Sequence, residues 1–201
     1  MMGQSESRGD GLAGKVVLVT GAGKGKGRAA AEAFAARQAL LAVNDVSPVN
    51  LDETVAHILA AGGRVKMYIE DIAKKMPVQT LIHQVLEDFG RIDILINCAE
   101  VEPAQPVLEM DDWDWQRTLD VNLSGTFLLI QSVGRVMKEE GGGIIIHLKG
   151  QAREKSGRAA YFASRAGAAA LVETAAAELA AAGIHVHQVQ TVEEALEACS
   201  L

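Results

Sequence analysis

Six short apolar runs, separated by longer stretches with a helical pattern, constrain the fold of this chain more than any other feature. The runs are continuous rather than alternating in polarity, as in strands that are buried on both faces of a parallel sheet. The repeated strand–helix–strand order predicts right-handed crossovers and helices on both faces. We therefore expect a Rossmann-type, doubly wound α/β fold of about six strands in the order 3-2-1-4-5-6. The runs are residues 15–20, 40–45, 64–71, 92–97, 143–148 and 183–189.

The stretches between these runs predict the helices. Asn50 and Glu53 resemble a capping box with Asn in place of Ser, which puts a helix start near residue 51. Thr191 and Glu194 form a better capping box, which predicts a short closing helix. The other predicted helices are 26–38, 51–61, 76–89, 111–138 and 159–182.

Length and composition indicate one globular domain. The 201 residues contain no repeat or linker, so we expect a flexible tail over 1–11 and a single domain over 12–201. The net charge of −7 argues against a non-specific nucleic-acid binder. No apolar run is long enough to span a membrane, and the two cysteines do not make a disulfide framework. No cluster has metal-ligand spacing, so we expect no bound metal. Together these features lead us to expect a cytoplasmic protein.

A glycine-rich segment lies between the first run and the first predicted helix. Gly21, Gly23, Gly25 and Gly27 allow a tight turn, and the helix N-terminus offers free N–H groups to a pyrophosphate. Asp45 ends the next run, where its carboxylate can accept hydrogen bonds from an adenosine ribose and would repel a 2′-phosphate. This pattern favours NAD over NADP. The alternative is a glycine-rich turn that binds nothing.

Tyr161 and Arg165 are four residues apart in a predicted helix and therefore share one face. A cation beside a tyrosine can pull the pKa of its hydroxyl below about 10, which would make Tyr161 a proton donor or acceptor. The alternative is an ordinary helix that carries a surface arginine.

Several spaced motifs make the chain similar to the short-chain dehydrogenase/reductase family from about residue 12 to about residue 189. The segment TGAGKGKG fits the family pattern TGxxxGxG, and DFGRIDILINCAE resembles the segment that ends in NNAG. LDVNLSGTF resembles the region of the active-site asparagine, and YFASR fits YxxxK with one change.

The resemblance implies hydride transfer between a nicotinamide and a carbonyl or alcohol carbon. It implies Tyr161 as the acid or base, Arg165 in place of the lysine that tunes it, and Asn122 as part of a proton relay. It further implies that the cofactor is bound by Gly21, Gly25, Lys26, Gly27, Asp45, Asp71, Asn97 and Ala99, with Asp71 at the adenine.

The chain departs from the family pattern near the reacting centre. Leu148 stands where the family has a serine, and Ser156 is the nearest hydroxyl that a loop could supply. Lys26 and Glu100 are charged where the family has small residues. We hypothesise that they form an ion pair across the cleft. The alternatives are two unrelated surface charges, or a Lys26 that reaches the pyrophosphate.

Relatives continue beyond the last predicted strand with a substrate-covering lid, most of which this sequence lacks. The long helices 111–138 and 159–182 commonly form dimer faces in the family, so we expect a homodimer through them. Two functions fit these features. One is an NAD(H)-dependent oxidoreductase with weakened activity on an unidentified small-molecule carbonyl or alcohol. The other is a catalytically inactive relative that binds dinucleotide or serves as a scaffold.

Overall fold

The six predicted strands form one parallel sheet in the order β3-β2-β1-β4-β5-β6, as expected. The computed structural model of the protein describes residues 11–150 and 156–200, so the predicted tail lies almost wholly outside the described residues. The strands are β1 (Val16–Thr20), β2 (Leu40–Asp45), β3 (Arg64–Ile69), β4 (Ile94–Asn97), β5 (Gly143–Leu148) and β6 (Ile184–Val189).

The helices agree with the predicted stretches except at two places. Helix α2 begins at Pro48, because Ser47 caps it by accepting a hydrogen bond from the Asn50 N–H and Pro48 suits the first helical position. The prediction that Asn50 opens this helix was therefore wrong. The helices are α1 (Gly25–Ala35), α2 (Pro48–Ala60), α3 (Lys75–Phe89), α4 (Asp112–Leu119), α5 (Thr126–Glu140), α6 (Ala159–Leu179) and α7 (Val192–Ala198).

The second difference concerns the long predicted helix 111–138, which divides into α4 and α5. A π-helical segment, Asp120–Gly125, joins the two and contains Asn122. Such segments occur frequently at functional sites because they redirect a side chain without ending the helix. The π-helical segment thus positions Asn122 differently from a residue in a regular helix.

Two hydrophobic clusters cover the two faces of the sheet. Strand β1 sends Val17 and Val19 into the first cluster, with Phe34 of α1 and Leu196 of α7. Its other residues, such as Leu18, pack in the second cluster with α3, α5 and α6. This alternation explains why the strand is apolar from Val16 to Val19, since both of its faces are buried. Among the described residues, no helix combines the length and apolar character needed to cross a lipid bilayer.

The strand order reverses between β1 and β4, because β2 lies on one side of β1 and β4 on the other. Crevices at such switch points, beyond the carboxyl ends of the strands, are where open parallel sheets bind ligands. The loops after β1, β2, β4 and β5 therefore meet at one edge of the sheet.

Candidate functional site

A cleft of about 820 Å³ opens at this edge of the sheet. Its size falls within the range of about 300–1,000 Å³ that is typical of small-molecule sites. Most of the residues predicted to bind a cofactor line it, together with Glu100, Val121 and Leu148; these predicted residues are Gly21, Gly25, Lys26, Gly27, Asp45, Asp71 and Ala99.

The glycine loop at the cleft is built for close backbone contact. A Cβ on Gly27 would lie 2.0 Å from the carbonyl oxygen of Gly21, and one on Gly21 would lie 2.6 Å from the Cα of Ala99. Gly25 adopts a φ of +55° and has open space around its missing side chain. Lys24, the N-cap residue of α1, makes no side-chain capping hydrogen bond within the described residues. The loop thus leaves the helix N-terminus and its positive dipole end free for an anionic group such as a pyrophosphate.

Asp45 lies beside this loop, as predicted. Its Oδ2 accepts a hydrogen bond from the Gly23 N–H at 2.9 Å, and its Oδ1 accepts one from the Ser47 N–H at 2.9 Å. A carboxylate offers about four acceptor positions, so further hydrogen bonds from ribose hydroxyls remain available. Arg28 fixes the same region, because its guanidinium donates to the Gly23 carbonyl and to Glu53 of α2.

Asp71 lines the cleft but is also held by an ion pair that the sequence analysis missed. Arg117 of α4 donates to both of its carboxylate oxygens, at 3.0 and 3.3 Å. Partial burial favours a higher pKa for Asp71, but hydrogen bonds from Arg117 and the Ala73 N–H, with the nearby cations, outweigh it and lower the pKa. Asp71 is therefore a fixed anion at the cleft wall.

Asn97 contributes to the scaffold rather than to the cleft surface. Its Oδ1 accepts a hydrogen bond from the Thr20 hydroxyl at 2.7 Å, and its Nδ2 donates to Thr126 at 3.0 Å. The residue is 2% exposed, so its side chain is committed to joining β1, β4 and α5. Ala99, two residues later, lines the cleft.

Lys26 does not form the hypothesised ion pair with Glu100. Its Nζ donates to the carbonyl oxygen of Lys149 at 3.0 Å and to that of Gln190 at 2.7 Å. These two carbonyls belong to the residues directly after β5 and β6, and they accept hydrogen bonds from the Lys26 ammonium group of α1. Lys26 therefore ties the glycine loop to the ends of two strands, and Glu100 is left for other partners.

Glu100 and Arg165 both bind the hydroxyl of Tyr161. The hydroxyl donates to Glu100 Oε2 at 3.1 Å and accepts from Arg165 Nη1 at 3.0 Å. Arg165 lies one turn from Tyr161 on α6, as the spacing predicted. The same Glu100 oxygen also accepts the Gly150 N–H at 3.3 Å. The three side chains form a hydrogen-bonded cluster, which we call the Glu100–Tyr161–Arg165 cluster.

The cluster changes the proton affinity of Tyr161 in the direction opposite to the one expected. Burial and the negative charge of Glu100 outweigh the cation of Arg165 and raise the pKa of Tyr161 to about 12. The prediction that Arg165 brings this pKa below its usual value was wrong, because the sequence did not reveal that Glu100 approaches from the other side. Burial also raises the pKa of Glu100, although Tyr161, the Gly150 N–H and Arg165 counteract it.

Asn122 fixes the segment that carries Glu100. Its Oδ1 accepts from the Val101 N–H at 2.8 Å and its Nδ2 donates to the Val101 carbonyl at 2.9 Å. The Nδ2 also donates to Ser164 at 3.1 Å. The Asn122 side chain therefore holds the residue next to Glu100 in place.

No described hydroxyl replaces the missing serine at the end of β5. Leu148 is 2% exposed, and Ser156 is exposed and makes no hydrogen bond to Tyr161 within the described residues. A Cβ on Gly150 would lie 1.8 Å from Glu100 Oε1. The glycine at position 150 thus makes room for the Glu100 carboxylate beside Tyr161. A charged residue at position 100, combined with a missing hydroxyl at 148, was the available signal for this arrangement.

Comparison with known proteins identifies the scaffold. The sequence model of the short chain dehydrogenase family matches residues 15–193. A D-threitol dehydrogenase of Mycolicibacterium smegmatis is 38% identical over 180 residues, which are 89% of this chain and 69% of that protein. A 3-oxoacyl-[acyl-carrier-protein] reductase of Synechocystis is 37% identical, over 89% of this chain and 73% of that protein.

Solved structures agree with this result. An NAD+-bound xylitol dehydrogenase superposes with a TM-score of 0.85 and 32% identity, over 90% of this chain and 70% of that one. A metagenomic short-chain oxidoreductase in complex with NADP superposes with a TM-score of 0.88 and 28% identity, over 94% and 93% of the two chains. The chain therefore belongs to the short-chain dehydrogenase family of NAD(P)-dependent oxidoreductases.

Proposed function

We propose that the protein is an oxidoreductase that uses NAD(H) rather than NADP(H), acts on a carbonyl or alcohol group, and works more slowly than a relative with the complete catalytic set. The observation that carries the cofactor preference is the position of Asp45. Its carboxylate lies at the end of β2, hydrogen-bonded to the Gly23 N–H of the glycine loop. A 2′-phosphate at this position would meet a negative charge, whereas ribose hydroxyls would meet acceptors.

The residues of the cleft fit a dinucleotide. The open conformation at Gly25 and the uncapped start of α1 suit the pyrophosphate, Asp45 suits the adenosine ribose, and Ala99 lines the cleft beside Gly21. When bound, the nicotinamide supplies a hydride donor or acceptor. The protein's residues hold the substrate oxygen and donate a proton to it or accept one from it.

Reduced activity follows from two features of the site. The position of the missing serine is Leu148, so one hydrogen bond to the substrate oxygen is lost. The pKa of Tyr161 is raised to about 12, so at neutral pH its hydroxyl keeps its proton and almost no tyrosinate is present to act as a base. These same features support the second candidate, a dinucleotide-binding protein without turnover. The two candidates share the cofactor site and differ in whether NADH is formed.

A turnover assay tests the proposed function. D-threitol and xylitol are suitable first substrates, because the relatives whose names carry them are dehydrogenases of such alcohols. We expect slow NADH formation, measured by its absorbance, that depends on protein and alcohol and is at least about tenfold faster with NAD than with NADP. Binding of NAD without NADH formation from any alcohol of a broader panel, and without NADH oxidation by the matching ketones, would favour the second candidate.

A further inference from the structure

Glu100 lies between the cleft and the hydroxyl of Tyr161. The Tyr161 residue has 0% of its surface exposed, whereas Glu100 is exposed and lines the cleft. A substrate in the cleft therefore meets the Glu100 carboxylate before it can reach the Tyr161 hydroxyl. The side chain of the Glu100–Tyr161–Arg165 cluster that lines this cleft is thus the Glu100 carboxylate.

The hydrogen bonds of the carboxylate leave one oxygen available. Glu100 Oε2 accepts from the Tyr161 hydroxyl and from the Gly150 N–H. Among the described residues, none donates a hydrogen bond to Glu100 Oε1. The Tyr161 hydroxyl donates its hydrogen to Glu100, and its oxygen accepts a hydrogen bond from Arg165. Glu100 Oε1 is therefore an acceptor without a donor among the described residues, which suits a substrate that brings its own O–H group.

We propose, building on the oxidoreductase function above, that Glu100 is the catalytic base of this site and that the substrate is an alcohol, which the protein dehydrogenates. The substrate hydroxyl donates to Glu100 Oε1. Its O–H bond breaks and a new O–H bond forms on Glu100. An oxidised nicotinamide, when bound in the cleft, would accept the hydrogen of the carbinol carbon with its electron pair. The products are a carbonyl compound, the reduced cofactor and a protonated Glu100, which returns its proton to water.

Tyr161 and Arg165 are positioning residues in this scheme. Tyr161 holds Glu100 Oε2 in place, and Arg165 holds the Tyr161 oxygen while its guanidinium carbon lies 5.2 Å from the ring centroid. Asn122 adds a further constraint through its two hydrogen bonds with Val101. The carboxylate is thus held directly by the Tyr161 hydroxyl and the Gly150 N–H, and indirectly by Arg165 and Asn122, which is the preorganisation that a general base requires.

The charges around the carboxylate define its pH dependence. Burial raises the pKa of Glu100 and the charge of Glu102 adds to the rise, whereas the hydrogen bonds from Tyr161 and the Gly150 N–H and the charge of Arg165 oppose it; the net shift is upward. Burial and the charge of Glu100 raise the pKa of the Cys98 thiol, whereas the charge of Lys26 of α1 opposes this rise. His147 of β5 stays neutral, because burial and the charges of Arg165 and Lys149 lower its pKa to about 4. Oxidation should therefore accelerate as the pH rises through a midpoint above the ordinary value of about 4.3 for Glu.

Glu100→Gln is the decisive variant, because it keeps the shape and removes the base. We expect the rate of NADH formation from D-threitol, or from the best alcohol of a panel, to fall at least about 100-fold. The rise of the rate with pH should disappear, and NADH affinity should stay within about twofold. Glu109→Gln is the matched control, since Glu109 is an exposed residue outside the cleft lining and should keep the wild-type rate. An unchanged or increased rate in Glu100→Gln would overturn the proposal and make Glu100 an obstruction.

A second measurement needs neither cofactor nor substrate. The chain has two tyrosines, so NMR of protein labelled at tyrosine Cζ gives two signals, which Tyr161→Phe assigns. As the pH is varied, the chemical shift of the Tyr161 signal should change as Glu100 gains or loses its proton. This change should be absent in Glu100→Gln and Glu100→Gly. A Tyr161 chemical shift whose pH dependence is the same in the wild type and in both variants would overturn the proposal. Failure to bind NAD would instead refute the proposed function, and alcohol oxidation that persists in Glu100→Gln would refute only the role of Glu100.

Discussion

Replacing Gly27 with alanine is expected to destabilise the fold by at least about 3 kcal/mol. The new Cβ would lie 2.0 Å from the carbonyl oxygen of Gly21 and 2.6 Å from its carbonyl carbon. Both are backbone atoms of the loop, so no side chain can rotate away to relieve the overlap. The loop would have to separate from α1, which would also remove the cradle for a pyrophosphate. Urea unfolding measures the stability, and calorimetric titration with NADH should show no binding in the variant.

Gly134→Ala is the matched control for this prediction. Gly134 also lies within a helix, but its added Cβ would meet only Leu179 Cδ1, at 3.6 Å, an ordinary contact distance. Because alanine has the higher helix propensity, this variant should be as stable as the wild type or more stable by up to about 1 kcal/mol. Equal stability of Gly27→Ala and Gly134→Ala would contradict the packing described for the glycine loop.

Replacing Asn97 with leucine is expected to destabilise the protein by about 2–4 kcal/mol. The substitution leaves the buried Thr20 hydroxyl without its acceptor and removes the donor to Thr126. Both threonines are 1% exposed or less, so water cannot replace the lost partner without opening the core. A buried polar group that loses its partner retains the full cost of its desolvation. Unfolding in urea again measures the effect.

A double-mutant cycle makes this prediction specific. Thr20→Val removes the hydroxyl that Asn97 satisfies, so in the background of Asn97→Leu it should restore part of the lost stability. Strictly additive effects of the two substitutions would show that the Thr20–Asn97 hydrogen bond carries no coupling energy. In that case Asn97 would be free to act on the ligand instead, contrary to its assignment as a scaffold residue.

The sheet was predictable because its determinants are local. Most of the apolar runs carry their own evidence of burial on both faces, and β2 and β5 begin and end at the predicted residues. Burial on both faces was wrong for β3, which is an edge strand and is largely exposed. The glycine loop was predictable for a similar reason, since only glycine tolerates the close approach at Gly21 and Gly27. The interruption of helix 111–138 at the π-helical segment was not, because no Pro or Gly marks its start at Asp120.

The partners of charged side chains could not be read from the sequence. Lys26 and Glu100 are of opposite sign and both lie at the cleft, yet Lys26 binds two carbonyl oxygens and Glu100 binds Tyr161. A long side chain can reach several partners, and the choice among them depends on distances that only the folded chain defines. Because Glu100 binds Tyr161, the pKa of Tyr161 is raised rather than lowered. The sequence revealed the nearby cation, Arg165, but not the larger effect of burial and Glu100.

Calorimetric titration of the wild-type protein with NADH and NADPH shows whether the cleft holds NAD(H). We predict that NADH binds and that NADPH binds at least about tenfold more weakly, a difference of about 1.4 kcal/mol. In Asp45→Asn, which removes the charge beside the Gly23 N–H, the difference should shrink. Absence of binding for both nucleotides, or tighter binding of NADPH by the wild-type protein, would show that the cleft is not an NAD(H) site.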